Sequence, residues 1–240
     1  WKQGTNNTVF TADFLKNVSS TASDWTVVFL GRLGITEDYN AFLNRANTYV
    51  KDQYDANPFT GLSTNTPTEW HRLTMAVLAA GGDPTDVGGH DLIADGTYNC
   101  LAGAPWNQGM NGAAWALLAL DSKGYEVPEG AKYTREALIS YILGKELSGG
   151  GWSLDDKNPS LDLDITSMVV YALAPHAAED AKVREAVNRG LDVLRSKIST
   201  DGDYNYGGTY NCESVAQAII AFTSMGIDPA TVMHPTEKAC

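Results

Sequence analysis

Three cysteines in 240 residues are too few to staple the chain, and no Cys-x-x-Cys pair occurs. A zinc ribbon and a thioredoxin-type redox motif are thereby excluded. Basic residues are scarce too: 17 Lys and Arg stand against 29 Asp and Glu, a net charge of −12. An acidic surface repels phosphate backbones and anionic lipid, so nucleic acid is not an expected partner. No apolar run reaches the roughly 18–20 residues needed to cross a bilayer. The longest, at 113–120 and 168–174, have the length of buried helices, so the chain is not expected to be transmembrane. Also missing are Gly-x-Ser-x-Gly, the Walker loop, Gly-x-Gly-x-x-Gly after a strand and His-Glu-x-x-His, which removes the common hydrolase, kinase and dehydrogenase chemistries. None of His71, His90, His176 and His234 is paired at metal spacing, and neither metal nor cofactor is expected.

What the chain does have is 43% hydrophobic against 19% charged residues, the balance of a folded globule. It also repeats itself. Five segments share a polar lead-in, an apolar stretch rich in Ala and Leu and, in most copies, a closing Gly. They are 21–34 (TASDWTVVFLGRLG), 68–81 (TEWHRLTMAVLAAG), 111–124 (NGAAWALLALDSKG), 164–177 (DITSMVVYALAPHA) and 213–226 (ESVAQAIIAFTSMG), starting 43–53 residues apart. Gly34, Gly81, Gly124 and Gly226 are placed to stop helices in the left-handed conformation. These helices are apolar on most sides, which predicts burial. Between them, 38–54, 133–147 and 180–198 are one-sided. In the last, Val183, Ala186, Val187, Gly190, Leu191 and Leu194 recur at 3–4-residue spacing. Residues 82–106 read as loop, with at most a short helical turn near 91–94.

Buried helices alternating with one-sided ones predict an all-α chain of hairpins in two layers. The inner layer either closes into a ring or runs on as an open superhelix. One repeat domain over 1–240 is expected. Its start at Trp1-Lys2-Gln3-Gly4, without Met or a signal-peptide profile, and its end at Cys240 after Pro235 suggest a piece of a larger protein.

Arg189-Gly190-Leu191-Asp192-Val193-Leu194, followed by Asp201-Gly202-Asp203-Tyr204, resembles the QW repeat of squalene and terpenoid cyclases, with Ile198 in the Gln place and Tyr204 in the Trp place. Tyr141-Ile142 through Glu146 to Gly150-Gly151-Trp152 is similar to a second copy, with Glu for Gln and the Trp kept. The resemblance implies an α/α toroid; with about five hairpins visible, either a sixth inner helix is missing or the ring is incomplete. Terpenoid cyclases share that fold with protein prenyltransferase β-subunits, cobalamin carriers of the intrinsic-factor type and complement thioester domains. Asp162-Leu163-Asp164-Ile165-Thr166 is similar to the D-x-D-D-T segment of class II terpenoid cyclases, whose middle Asp protonates an alkene or epoxide. That implies Asp164 as general acid, with Asp162 beside it, and such an acid needs a dry cavity. Ile165 stands where the family has its last Asp. The glycine-rich lead-in Gly149-Gly150-Gly151 resembles that of prenyltransferases. Their zinc His falls at Ile165, however, and their Asp-x-Cys pair near Gly109 and Asn111, so all three ligands are absent. Thioester domains place Cys and Gln three residues apart, whereas Cys212 and Gln217 are five apart.

Several residues carry two readings. An Asp at 162 or 164, just before an apolar helix, suits an N-cap as well as an acid. Asp155 and Asp156 add carboxyl groups nearby, but the spacing is not that of a calcium loop. Cys100 and Cys212 each close a Gly-Thr-Tyr-Asn-Cys pentapeptide, at 96–100 and 208–212: a repeated lead-in to a helix, or a disulfide in an exported protein. Trp25 and Tyr171, together with Trp70, Trp106, Trp115, Trp152, Tyr204, Tyr206 and Tyr210, gather at inner-helix starts and the glycine-rich loops before them. A closed ring would bring these ends to one mouth. Trp70, His71, Trp106, Trp115, Trp152, Tyr204, Tyr206 and Tyr210 are then candidate contacts for an apolar or cationic ligand. Packing of the hairpin joints is the other reading.

The scaffold persists while Ile165 and the absent zinc ligands break both known chemistries. The leading expectation is therefore a non-catalytic domain that binds a small apolar ligand or a protein segment. It would sit beside other domains of its polypeptide, in the extracellular space or on a bacterial cell surface. A cyclase-like enzyme using Asp164 and an architectural spacer are the alternatives.

Overall fold

A computed structural model describes residues 8–206 and 209–233; Trp1, Lys2, Gln3, Gly4, Gly208, His234, Pro235 and Cys240, named above, lie outside the described residues. The described chain is helical: α1 (Ala12–Leu15), α2 (Thr21–Arg32), α3 (Tyr39–Ala56), α4 (Thr68–Ala79), α5 (Gly109–Asp121), α6 (Arg135–Gly144), α7 (Leu163–Leu173), α8 (Ala181–Lys197), α9 (Cys212–Ser224) and α10 (Ala230–Met233). The exceptions are short. β1 (Asn205–Tyr206) pairs antiparallel with β2 (Thr209–Tyr210), and isolated bridges join Val87 to His90 and Trp152 to Asp162.

Local chemistry explains the helix ends. Ser20, Asp38, Asp180 and Asn211 each take up backbone N–H groups of the first turn that no helical carbonyl can reach. The four predicted stops, Gly34, Gly81, Gly124 and Gly226, all adopt positive φ, from 64° to 85°. The all-α expectation follows through, but burial on most sides does not hold for every apolar helix: α2 buries only Ser23, Asp24 and Val27, and α9 only Ser214, Ala218, Ala221 and Phe222, leaving Phe29, Ile219 and Ile220 exposed. In α7, Ile165, Thr166, Ser167, Met168, Val169 and Val170 are buried without a break. In α8 only Val183, Ala186, Val187, Gly190, Leu191 and Leu194 are, the one-sided face read from the sequence.

One stretch differs from expectation. Residues 82–106 hold a π-helical turn over Ala94–Tyr98 and a 3-10 turn over Pro105–Gln108. The wide turn brings Gly96 against Trp70, where an added Cβ would lie 2.4 Å from the Trp70 Cβ. Only the contact made by a residue distant in sequence explains the turn.

The chain divides into two compact units, Trp1–Gln108 with Trp115–Arg135 and Gly109–Ala114 with Glu136–Cys240. In the first, α2 packs on α4. Asp24 faces Arg72 and Gly31 faces Ala79 at the same 48-residue offset, so these two helices run parallel. Phe42, Ala46 and Val50 of α3 cover them, together with Trp70, Leu73 and Val27 in one apolar core. In the second unit, α7 packs on α8 and α9. Gly190 lets α8 approach closely: a Cβ would stand 2.8 Å from Val170 and 3.1 Å from the Trp152 ring.

Candidate functional site

The segments around Trp152 and Tyr204 are built alike. Trp152 is fully buried and donates its indole N–H to the Ile142 carbonyl over 2.8 Å. Tyr204 is fully buried and donates its hydroxyl to the Leu194 carbonyl over 3.1 Å. Each acceptor lies ten residues upstream, in the last turn of a helix, α6 or α8; the Ile142 carbonyl also accepts the Lys145 N–H at 3.2 Å. Burial and this bond put both aromatics in the joint of their hairpins. Behind Trp152, its N–H donates to Thr166 Oγ1 over 2.9 Å, and Thr166 belongs to the start of α7.

That start separates the two aspartates of the Asp-Leu-Asp-Ile-Thr segment. Asp162 is the N-cap of α7: its Oδ1 accepts the Ile165 N–H over 3.0 Å, while its own N–H donates to the Trp152 carbonyl. Asp164 sits in the first turn, and its Oδ1, buried at the atom, meets no hydrogen-bond donor. Both aspartates are among the residues lining a cavity of about 360 Å³, with Ser153, Leu154, Asp155, Ser160, Leu161 and Asn211.

The cavity walls come from three places. Asp162 and Asp164 are the start of α7. Asn211 is the N-cap of α9, its Oδ1 accepting from the Glu213 and Ser214 N–H groups. The third wall is the loop from Ser153 to Leu161, folded around one hydroxyl: Ser153 Oγ accepts the N–H groups of Asp155 and Ser160 and donates to the Asp155 carbonyl. Asp155 is held by the Lys157 N–H at 2.7 Å, and that bond keeps its carboxyl below the usual range. Six of the eight lining residues are polar, although the apolar surface of the lining is nearly as large as the polar. Among the described residues, no three His, Cys, Asp or Glu side chains form a group fit to hold a metal.

The other candidate residues are distributed as follows. Trp70 is fully buried, and its indole N–H donates to the Tyr54 hydroxyl, which donates to Asp95 Oδ2 at 2.6 Å. His90 stacks on the Tyr54 ring, with centroids 3.7 Å apart. His71 is buried with Nε2 on the Gly96 carbonyl at 2.8 Å, which makes that nitrogen the protonated one, and burial lowers its pKa to about 4. Trp106 meets Tyr133 edge-on, and Trp115 packs against Trp25. Tyr210 is exposed, and Tyr206 is described by its backbone alone. Trp70, His71, Trp106 and Trp115 belong to the first unit, Trp152, Tyr204, Tyr206 and Tyr210 to the second. Tyr210 directly precedes a residue of the cavity lining.

Cys100 and Cys212 are both free. Burial pushes the Cys100 thiol up to about 11, and Cys212 donates to Glu213 on the surface, so neither is poised as a thiolate. Cys212 and Gln217, five positions apart on one helix, point to different faces.

Sequence reasoning did not single out Ser153, Ser160 or Asn211 as site residues. Asn211 carries a readable signal, an Asn ahead of an apolar helix, but that signal reports capping. Ser153 and Ser160 carry none, because their place at the cavity depends on how the loop folds back. Comparison with protein-family models, curated proteins and solved structures finds no match to this chain.

Proposed function

We propose that this chain is a non-catalytic binding domain on a scaffold of the α/α-toroid kind, taking a ligand or a segment of another protein in the cavity at the starts of α7 and α9. The observation that carries the reading is the character of the cavity. Protonation of an alkene needs a carboxyl held in dry, apolar surroundings. Here Ser153, Ser160, Asn211 and two further aspartates share the lining with Asp164. The volume falls at the low end of small-ligand sites, roughly 300–1,000 Å³. In favour of the scaffold stand the parallel α2 and α4, the paired starts of α7 and α9, and the matching joints at Trp152 and Tyr204. As a module of an exported, cell-surface protein it would present this opening to its surroundings.

The test is a fragment titration followed by amide NMR. Saturable shifts at the backbone amides of Ser153, Ser160 and Asn211 are expected. No fragment moving those signals would sink the reading.

One observation favours the enzyme alternative: the Asp164 Oδ1 with no donor. A cyclase-like enzyme predicts turnover of a polyprenyl substrate that disappears in Asp164→Asn. The binding reading expects no turnover by the parent chain.

A further inference from the structure

The five repeat segments align place by place. Their fourth residues are Asp24, His71, Ala114, Ser167 and Ala216, and their seventh are Val27, Thr74, Leu117, Val170 and Ile219. In the first four segments both places are closed, at 0 or 1% exposure. In the last segment both are open: Ala216 is exposed, and Ile219 is 40% exposed. The ninth place shows the opposite trend. It holds Ala76, Ala119, Ala172 and Ala221 in the later segments, each at 0%, and Phe29 at 64% in the first.

The contact of α2 with α4 shows what these places do. α2 turns its fourth and eleventh residues, Asp24 and Gly31, to the fifth and twelfth residues of α4, Arg72 and Ala79. Places four, seven and eleven share one helix face, and places five, nine and twelve share another. The first face gives and the second receives. α9 ends the series with an open giving face, Ala216, Ile219 and Thr223, with Ile220 beside it. α2 begins the series with a receiving face open at Phe29 and Arg32, with Leu33 beside it at 72%. Its fifth residue, Trp25, packs on Trp115. α2 belongs to the first compact unit and α9 to the second, and each face is complete within its own helix.

The ends of a repeat array are ordinarily closed by polar faces. Both ends of this one are apolar. From Ala216 to Thr223 the open places of α9 carry no charge. The one charged group of the opposite face, Arg32, stands in the last turn of α2. A parallel α9 would bring its own last-turn carbonyls there, which favour a cation. The two faces are unlike, so neither fits a second copy of itself, whereas each fits the other.

We infer that a second copy of this chain docks its α2, in parallel, on α9, with Phe29 against Ile219 and Ile220, Trp25 opposite Ala216 and Arg32 beside Thr223. Phe29 stands where the other receiving faces have Ala, so the two helices sit farther apart than α2 and α4 and the ring fills the space between them. The contact is head-to-tail. Each added copy leaves one free face at either end, so the assembly grows past two chains or closes as a ring. This goes beyond the binding reading and makes no use of the cavity.

Sedimentation of the intact chain over a concentration series tests the contact. The parent chain is expected to gain mass with concentration and to pass two chains. Phe29→Glu and Ile219→Glu each put a charge on one exposed face, and each alone is expected to stay a monomer. Mixed in equal amounts, they are expected to form pairs and nothing larger, because one keeps its α9 face and the other its α2 face. Leu33→Glu and Ile220→Glu repeat the test as a second pair, and an unchanged thermal midpoint shows that a variant is folded. A parent chain that is a monomer at every concentration would overturn the inference. Self-association of either variant would do so too, because one of the two faces would then be dispensable. Folded variants that stay apart when mixed would remove the head-to-tail pairing.

Discussion

Trp152 donates its indole N–H to the Ile142 carbonyl, and Tyr204, in the same place of the next hairpin, does the same with its hydroxyl to Leu194. The bond ties the end of one helix, α6 or α8, to the loop that leads into the next, α7 or α9. Tyr204→Phe keeps the ring and removes only that bond. A loss of about 1 kcal/mol is expected, readable as a lower midpoint in urea with unchanged slope. Trp152→Ala removes the ring itself and should cost about 3–5 kcal/mol. Equal costs for the two changes would show that the joint does not depend on packing.

Asp24 and Arg72 form the buried ion pair of the first unit. Asp24 is fully buried, with Arg72 Nε 2.9 Å from its Oδ2 and the Ser19 N–H on its Oδ1, while Arg72 also reaches the Ser19 carbonyl and Glu69. Removing the cation strands a buried acid. Arg72→Ala should therefore cost about 3–5 kcal/mol, while Glu69→Ala, which leaves Asp24 paired, should cost far less. Chemical denaturation of both variants checks the order.

Two buried groups of that unit titrate in opposite senses. Burial raises Asp24 to about 6 in spite of Arg72, so the folded state holds this proton more tightly than the unfolded state does. Its contribution to stability is greatest in acid and falls as pH rises from about 4 to 6. Burial lowers His71 to about 4 from 6.5, so here the unfolded state binds the proton more tightly, and the contribution rises with pH across that span. The His71 effect is on the order of 3 kcal/mol. Relative to the parent chain, Asp24→Asn should make stability climb more steeply between pH 4 and 6. His71→Gln should make it climb less or fall. Identical pH slopes for all three proteins would contradict both assignments.

Gly31 and Gly144 give a paired test of helix contact. A Cβ on Gly31 would stand 2.2 Å from the Ala79 carbonyl oxygen, a backbone atom that cannot swing aside. Gly31→Ala should push α2 from α4 at a cost of about 1–3 kcal/mol. At Gly144, the end of α6, nothing lies within 4 Å of the new methyl. Gly144→Ala should be neutral or stabilising by about 0.5 kcal/mol. Thermal unfolding of the two variants separates them by sign.

The two aspartates at the start of α7 should separate as well. Asp162→Ala loses the cap on the Ile165 N–H and should cost about 1 kcal/mol. Asp164→Ala removes an Oδ1 that makes no bond and should change stability by less than about half of that. A larger loss at Asp164 than at Asp162 would overturn the assignment of the cap.

The sequence by itself determined the helices. Capping residues such as Ser20 and Asp180, the stops at Gly34, Gly81, Gly124 and Gly226, and the one-sided face of α8 act within a turn or two of the chain, so their meaning can be read in place. The sequence also named Asp162 and Asp164, beside eight aromatic and histidine candidates, but it could not tell which of the two caps the helix, because both precede the same apolar stretch. Periodicity reports that a residue is buried, not what it meets. Only the tertiary structure placed Trp152 and Tyr204 in their joints, set Asp24 against an arginine 48 residues away and gathered Ser153, Ser160, Asp164 and Asn211 around one cavity. Each of those depends on groups from separate elements meeting at hydrogen-bond distance, and the register of one helix against another is fixed by close packing at points such as Gly31 and Gly190, which no local pattern encodes.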